Sequence, residues 1–196
     1  MKTKLALCIA AFLACGVAQA GIIKNGDFEQ GLTNWTYSGN VTTTNTMPYF
    51  GAGTAANNGT TMVAFNAGDS RANGVLSQSF ATVAGQTYMV SFDYGVTDCT
   101  TCQQKINVAG KDGSVVLGSL QARSQNAGGN LDTFSFSFVA DGSVATLSFA
   151  DIAANNSVSL DGVLDNVVVN AVPEPASISL FALGLFGVVA RRRAKR

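Results

Sequence analysis

The 196-residue chain contains no histidine, which removes the commonest general base near neutral pH and a frequent metal ligand. An enzyme built from it would have to work with carboxylates, Lys, Tyr or Ser alone, so the sequence argues against catalysis. Proline is scarce: Pro48 stands alone in the middle of the chain, and the other two, Pro173 and Pro175, lie near its end. Charge is sparse as well, at 12% of residues. A chain poor in charge and rich in Gly, Ser, Thr, Asn and Val favours half-buried strands and turns over exposed amphipathic helices.

The formal charge of zero conceals an uneven distribution. Between Gly21 and Val172 stand five basic residues (Lys24, Arg71, Lys105, Lys111, Arg123) and eleven Asp and Glu, a charge of −6. The remaining cations sit at the termini: Lys2 and Lys4 at one, Arg191, Arg192, Arg193, Lys195 and Arg196 at the other. An acidic domain of this kind repels a phosphate backbone, which excludes nucleic acid and leaves neutral or cationic partners or metal ions.

Long apolar runs occur only at the two ends. Lys2 and Lys4, the run Leu5 to Val17 and the close Ala18-Gln19-Ala20 give the charged, apolar, small-residue order of a secretory signal peptide over residues 1–20, with cleavage before Gly21. An uncleaved membrane anchor and a lipoprotein signal at Leu13-Ala14-Cys15-Gly16 remain as alternatives. At the other end Val172-Pro173-Glu174-Pro175 precedes an apolar segment, 176–190, and the basic tail 191–196. Two prolines stop a strand. A 15-residue helix spans about 22 Å against a bilayer core of about 30 Å, a gap that thinning and snorkelling Arg side chains can cover. The tail stays cytoplasmic by the positive-inside rule, leaving residues 21–171 outside the inner membrane.

The order Pro173-Glu174-Pro175, apolar helix and Arg cluster over 172–196 resembles the PEP-CTERM sorting signal of Gram-negative bacteria. An ordinary tail anchor is the plain alternative. The resemblance implies recognition by exosortase, cleavage close to the Pro-Glu-Pro motif, transient inner-membrane anchoring, and transfer to the cell surface or a biofilm-type extracellular matrix.

Between the ends, alternation predicts strands. Tyr88, Val90, Phe92 and Tyr94 share one face of 86–94, and Phe134, Phe136 and Phe138 share one face of 133–138. Further strands are expected over 61–66, 74–80, 103–109, 114–119, 144–150 and 163–169. Asp112-Gly113 and Asp141-Gly142 read as hairpin dipeptides. About eight such strands in 21–171 predict an all-β antiparallel sandwich or jelly roll, with no solenoid repeat.

Asn25-Gly26-Asp27-Phe28-Glu29-Gln30-Gly31-Leu32-Thr33-Asn34-Trp35, the segment Ala84 to Phe92, and Leu164-Asp165-Asn166-Val167-Val168-Val169 resemble the opening, middle and closing segments of galactose-binding-like jelly rolls, among them carbohydrate-binding modules. The resemblance implies glycan binding and one structural calcium ion, with Glu29, Asp165 and Asp27 at the matching positions; solvated strand-end carboxylates are the alternative. Calcium takes oxygen ligands, so the lack of His is no obstacle. Trp35 matches a core tryptophan of that family, not a sugar platform. Tyr37, Tyr49, Phe50 and Tyr94, in or near loops, are the candidate ligand contacts. Cys99 and Cys102, the cysteines left after export, cannot complete a zinc site alone and are expected to form a disulfide in an oxidising compartment.

The sequence therefore points to an exported, non-catalytic protein that binds exopolysaccharide or another glycan. Two rivals remain: a structural or protein-binding surface protein, and a glycan-cleaving enzyme, for which Asp93 and Asp98 would be the carboxylates.

Overall fold

A computed structural model describes residues 22–44, 59–66, 72–96, 105–123, 131–152 and 162–173. The leader at 1–20, Tyr49, Phe50, Cys99, Cys102, Glu174, Pro175, the apolar segment 176–190 and the basic tail lie outside the described residues. Ten strands follow in order: β1 (Thr36–Ser38), β2 (Val41–Thr44), β3 (Met62–Phe65), β4 (Val75–Ala81), β5 (Thr87–Val96), β6 (Lys105–Asp112), β7 (Val115–Arg123), β8 (Asp132–Val139), β9 (Val144–Asp151) and β10 (Gly162–Ala171). They form two five-stranded antiparallel sheets, ordered β1-β4-β9-β6-β7 and β2-β3-β10-β5-β8. The all-β expectation holds, and no helix occurs among the described residues.

Strict alternation explains the layering. Leu76 and Phe80 in β4, Ala145, Leu147 and Phe149 in β9, and Tyr88, Val90, Phe92 and Tyr94 in β5 turn inward and are buried. Aromatic rings link the sheets in two groups. Phe28 packs on Trp35 at 5.3 Å, Trp35 on Phe149 at 6.2 Å and Phe149 on Phe92 at 5.2 Å. Phe80, Tyr88 and Phe138 form the second group, with Tyr88 stacked on Phe138 at 5.6 Å. Phe138 fits because Gly110 and Gly118, paired across β6 and β7, leave the facing sheet bare; a Cβ at Gly110 would stand 2.9 Å from its ring.

The expected hairpin joins β6 to β7, shifted by one residue: Asp112 pairs with Val115, and the turn is Gly113-Ser114, with Gly113 at φ 53. Asp141-Gly142 does not form one, because β8 and β9 belong to different sheets and the dipeptide carries the chain between them. The inward residues Phe138 and Ala145 thereby face each other's layers, an arrangement that a tight hairpin would forbid. The two short strands β1 and β2 went unpredicted; β1 is exposed at all three positions and has no apolar alternation to betray it.

The N-terminal segment closes the barrel-like side of the sandwich. β3 pairs with β10 only through Gly162, Val163 and Leu164. Beyond them β10 pairs with residues 22–26 instead, through Ile22 N–H to Val169 O (3.3 Å) and Val167 N–H to Gly26 O (2.8 Å). Gly26 is required there, since any Cβ would collide with the Val167 carbonyl.

Candidate functional site

Asn25 organises the loop that follows this segment. Its side-chain amide donates to Gly31 O (2.8 Å) and Thr33 O (3.0 Å), and its Oδ1 accepts from Gln30 N–H (3.0 Å). Its carbonyl accepts from the Trp35 indole at 2.9 Å, which satisfies the one polar atom of a ring that is otherwise buried. The loop turns tightly enough to force Phe28 to φ 53, a conformation costly for a bulky side chain and offset by complete burial of its ring.

Gln78 anchors the segment from the opposite sheet. It occupies a core-facing position of β4 between Leu76 and Phe80, yet its side chain is polar. Its Oε1 accepts from the Lys24 N–H (2.8 Å) and its Nε2 donates to the Lys24 carbonyl (2.9 Å), so one side chain replaces a strand partner.

A groove results. β1 pairs with β4 only at Val75–Ser77, and beyond that point the β4 edge from Gln78 to Ala81 is uncovered by β1. Ile22, Lys24, Asn34, Gln78, Ser79, Phe80 and Ala81 enclose an open cleft of about 520 Å3 there. Asn34 sits at its rim with φ 71, and Ser79 Oγ shares a 2.8 Å hydrogen bond with Thr146 Oγ1. Tyr37, 54% exposed, pairs with Leu76 and so lies on the same side of β4 as Gln78 and Phe80. Leu76 and Gln78 are two positions apart, roughly 7 Å along a strand. Tyr37 therefore stands near one end of the cleft.

The other anticipated residues fall elsewhere. Tyr94 is not a ligand contact: it is fully buried, because it continues the inward series of Tyr88, Val90 and Phe92. Burial, and after it the charge of Asp151, pushes its hydroxyl well above the usual tyrosine value.

Glu29 is exposed and reaches across the loop. Its Oε1 accepts from Thr61 N–H (2.6 Å) and Thr60 N–H (2.7 Å), and its Oε2 from Thr60 Oγ1 (3.2 Å). These amides, Thr61 first, hold its carboxyl below the ordinary value. Asp27 is half-buried in the turn before it. Asp165 is fully buried and directly opposite Asp93 on the face of the sheet turned away from the core. Asp165 Oδ1 accepts from Asn166 N–H (2.7 Å), while Asp93 accepts from Thr133 Oγ1 (2.6 Å) and from Asn166 Nδ2 (3.1 Å). A one-residue bulge in β10, with Asn166 at φ 51, turns that amide toward Asp93. Among the described residues no group of three acidic or cysteine side chains gathers into a metal site.

Sequence reasoning missed Lys24, Asn34, Gln78 and Ser79. The available signal was Gln78 itself, a polar residue at an inward position of an otherwise regular strand.

Several solved structures share this fold. TmCBM61 in complex with beta-1,4-galactotriose is 22% identical, with a TM-score of 0.55 over 79% of this chain and all of that one. A cyclase from Fischerella sp. TAU in complex with 4-(1H-indol-3-yl)butan-2-one is 17% identical, with a TM-score of 0.61 over 80% of this chain and all of that one. A family 16 carbohydrate-binding module is 16% identical, with a TM-score of 0.50 over 76% of this chain and 99% of that one. Binding modules and an enzyme thus use one scaffold, and the likeness is one of fold. No curated protein matches the chain. A PEP-CTERM protein-sorting motif model matches residues 171–193, in agreement with the tripartite tail. A model described as a protein of unknown function, DUF642, matches residues 21–170, and the chain belongs to that family.

Proposed function

We propose that the DUF642 domain is a non-catalytic glycan-binding module of an exosortase-sorted surface protein, and that it takes a neutral exopolysaccharide or other glycan in the groove beside β4. The observation that carries this reading is the position of an exposed aromatic ring, Tyr37, on the same face of β4 as Gln78 and Phe80, which line the cleft together with Asn34 and Lys24. A sugar presents an apolar C–H face that stacks on an aromatic ring and hydroxyls that need amide, ammonium or hydroxyl partners. The cleft volume suits a ligand of a few sugar rings, since small-ligand sites run to about 300–1,000 Å3. The acidic domain disfavours polyanions. The galactotriose bound to TmCBM61 and the sorting motif give the reading further support.

Glycan-array binding by residues 21–173 tests it. Tyr37→Ala and Asn34→Gly, the latter compatible with the positive φ at that position, are each expected to weaken the best ligand roughly tenfold, about 1.4 kcal/mol, with the melting temperature little changed. Binding to protein ligands with no glycan bound would favour the structural rival. Turnover of a polysaccharide would favour the enzyme, although Asp93 is buried with hydrogen bonds to both oxygens.

One structural calcium ion belongs to the same proposal. Leu164 pairs with Val63, so Asp165 lies one residue from that pair, and Thr61, which Glu29 grips, lies two residues from it. Glu29 and Asp165 would supply carboxylate oxygens, and backbone carbonyls the remaining ligands.

A further inference from the structure

The exposed large apolar residues are not scattered. Among the described residues, Val83 (66% exposed), Val139 (53%) and Val144 (50%), together with Val115, Val116 and Met89, lie at one end of the sandwich, and Tyr37 lies at the other. The backbone ties them together there. Val83 is in the β4–β5 connection, where Thr82 N–H donates to Ser143 O (2.9 Å) and Gly85 N–H to Ala140 O (2.7 Å). Val144 pairs with Ala81, Val139 with Thr87, and Val116 with Lys111 beside the β6–β7 hairpin. Isolated exposed valines need no explanation, but an apolar rim gathered at one end of a soluble domain does.

Both chain ends leave at the same place. Val172 N–H donates to Thr87 O at 2.8 Å, and the Gln86 side chain donates to the Val172 carbonyl, so the fold holds the chain firmly up to the residue before Pro173. Only three residues then separate Val172 from the apolar segment 176–190. Ile22 pairs with Val169, so the first described residue lies beside this exit. Three residues span at most about 11 Å, too little for the domain to stand clear of a bilayer that holds the segment.

We propose that, before processing, the domain stands end-on against the inner membrane with the β4–β5 connection, the β8–β9 turn and the β6–β7 hairpin seated in the headgroup layer. The occupant of the apolar rim is the phospholipid surface itself. Asp112 and Asp141 meet at this end, and their mutual hydrogen bond, then their mutual repulsion, raises the Asp112 carboxyl above its ordinary value. The proposal rests on the reading of 176–190 as a membrane helix, and its test separates the two.

Full-length chain is reconstituted in phosphatidylethanolamine–phosphatidylglycerol vesicles with and without brominated acyl chains, which quench nearby tryptophan. Trp35 is buried and supplies a constant background. Single variants Val83→Trp, Val144→Trp, Tyr37→Trp and Leu183→Trp report four positions. Quenching at 83, 144 and 183 with none at 37 is the expected result. Quenching at 183 alone overturns the end-on contact and leaves the anchor intact. Quenching at 37 equal to that at 83 and 144 overturns the orientation. No quenching at 183 overturns the membrane helix, and the end-on contact with it.

Discussion

At the residue scale, two carboxylates are displaced in opposite directions by their neighbours, and stability should follow pH accordingly. Glu29 is held below its ordinary value by the Thr61 and Thr60 amides. Its contribution is therefore complete above the unfolded value and lost as pH falls through the folded one. Asp112 is raised by Asp141, so its contribution is complete below the unfolded value and lost as pH rises through the folded one. Chemical denaturation near neutral pH should show Glu29→Gln less stable than the natural chain and Asp112→Asn more stable. Both differences should shrink in acid. An Asp112→Asn chain that is less stable at neutral pH would contradict the assignment.

Elements in this fold are joined by side chains as much as by ladders. The N-terminal segment belongs to one sheet through Ile22 and Gly26 and to the other through Gln78. Gln78→Glu preserves shape but removes the donor to the Lys24 carbonyl and buries a charge facing it. A buried acceptor without its donor costs about 1–3 kcal/mol. The unfolding free energy should fall by that amount, and the Ile22 and Val167 amides that tie the segment to β10 should exchange faster with solvent while amides in β5 and β9 keep their protection relative to global unfolding. The same substitution loosens the Lys24 wall of the groove and should weaken any glycan bound there.

For the whole molecule, the closure of β10 against both β3 and the N-terminal segment is what the proposed calcium ion would reinforce. An ion held by Glu29 and Asp165 would bind only the folded chain, so each tenfold rise in free calcium above the dissociation constant adds about 1.4 kcal/mol. That is a rise of a few degrees in melting temperature for a domain of this size. Melting of residues 21–173 in calcium and in chelator measures it, with Glu29→Gln and Asp165→Asn as controls. An unchanged melting temperature in chelator would leave Glu29 as a cap on the Thr60 and Thr61 amides alone.

The all-β class, most of the longer strands and the sorting motif were legible in the sequence because each rests on local pattern: period-two alternation, Gly-containing turns, and the order of Pro-Glu-Pro, apolar run and arginines. Burial of Trp35 was expected too, from the resemblance of Asn25 to Trp35 to the opening of galactose-binding-like jelly rolls. What alternation could not convey was which layer each strand joins. Asp141-Gly142 has hairpin chemistry and nonetheless crosses between sheets, because pairing is decided by contacts far apart in sequence. Tyr94 looked available beside a loop, but tertiary packing covered it. The groove, the Asp93–Asp165 pair and the apolar rim at the chain exit each unite residues from separate segments, whose side chains carry no local sign of one another. Sequence alone determined composition, alternation and address; the folding of two sheets face to face decided which polar groups meet and which valines stay exposed, since those depend on distances that only the closed sandwich defines.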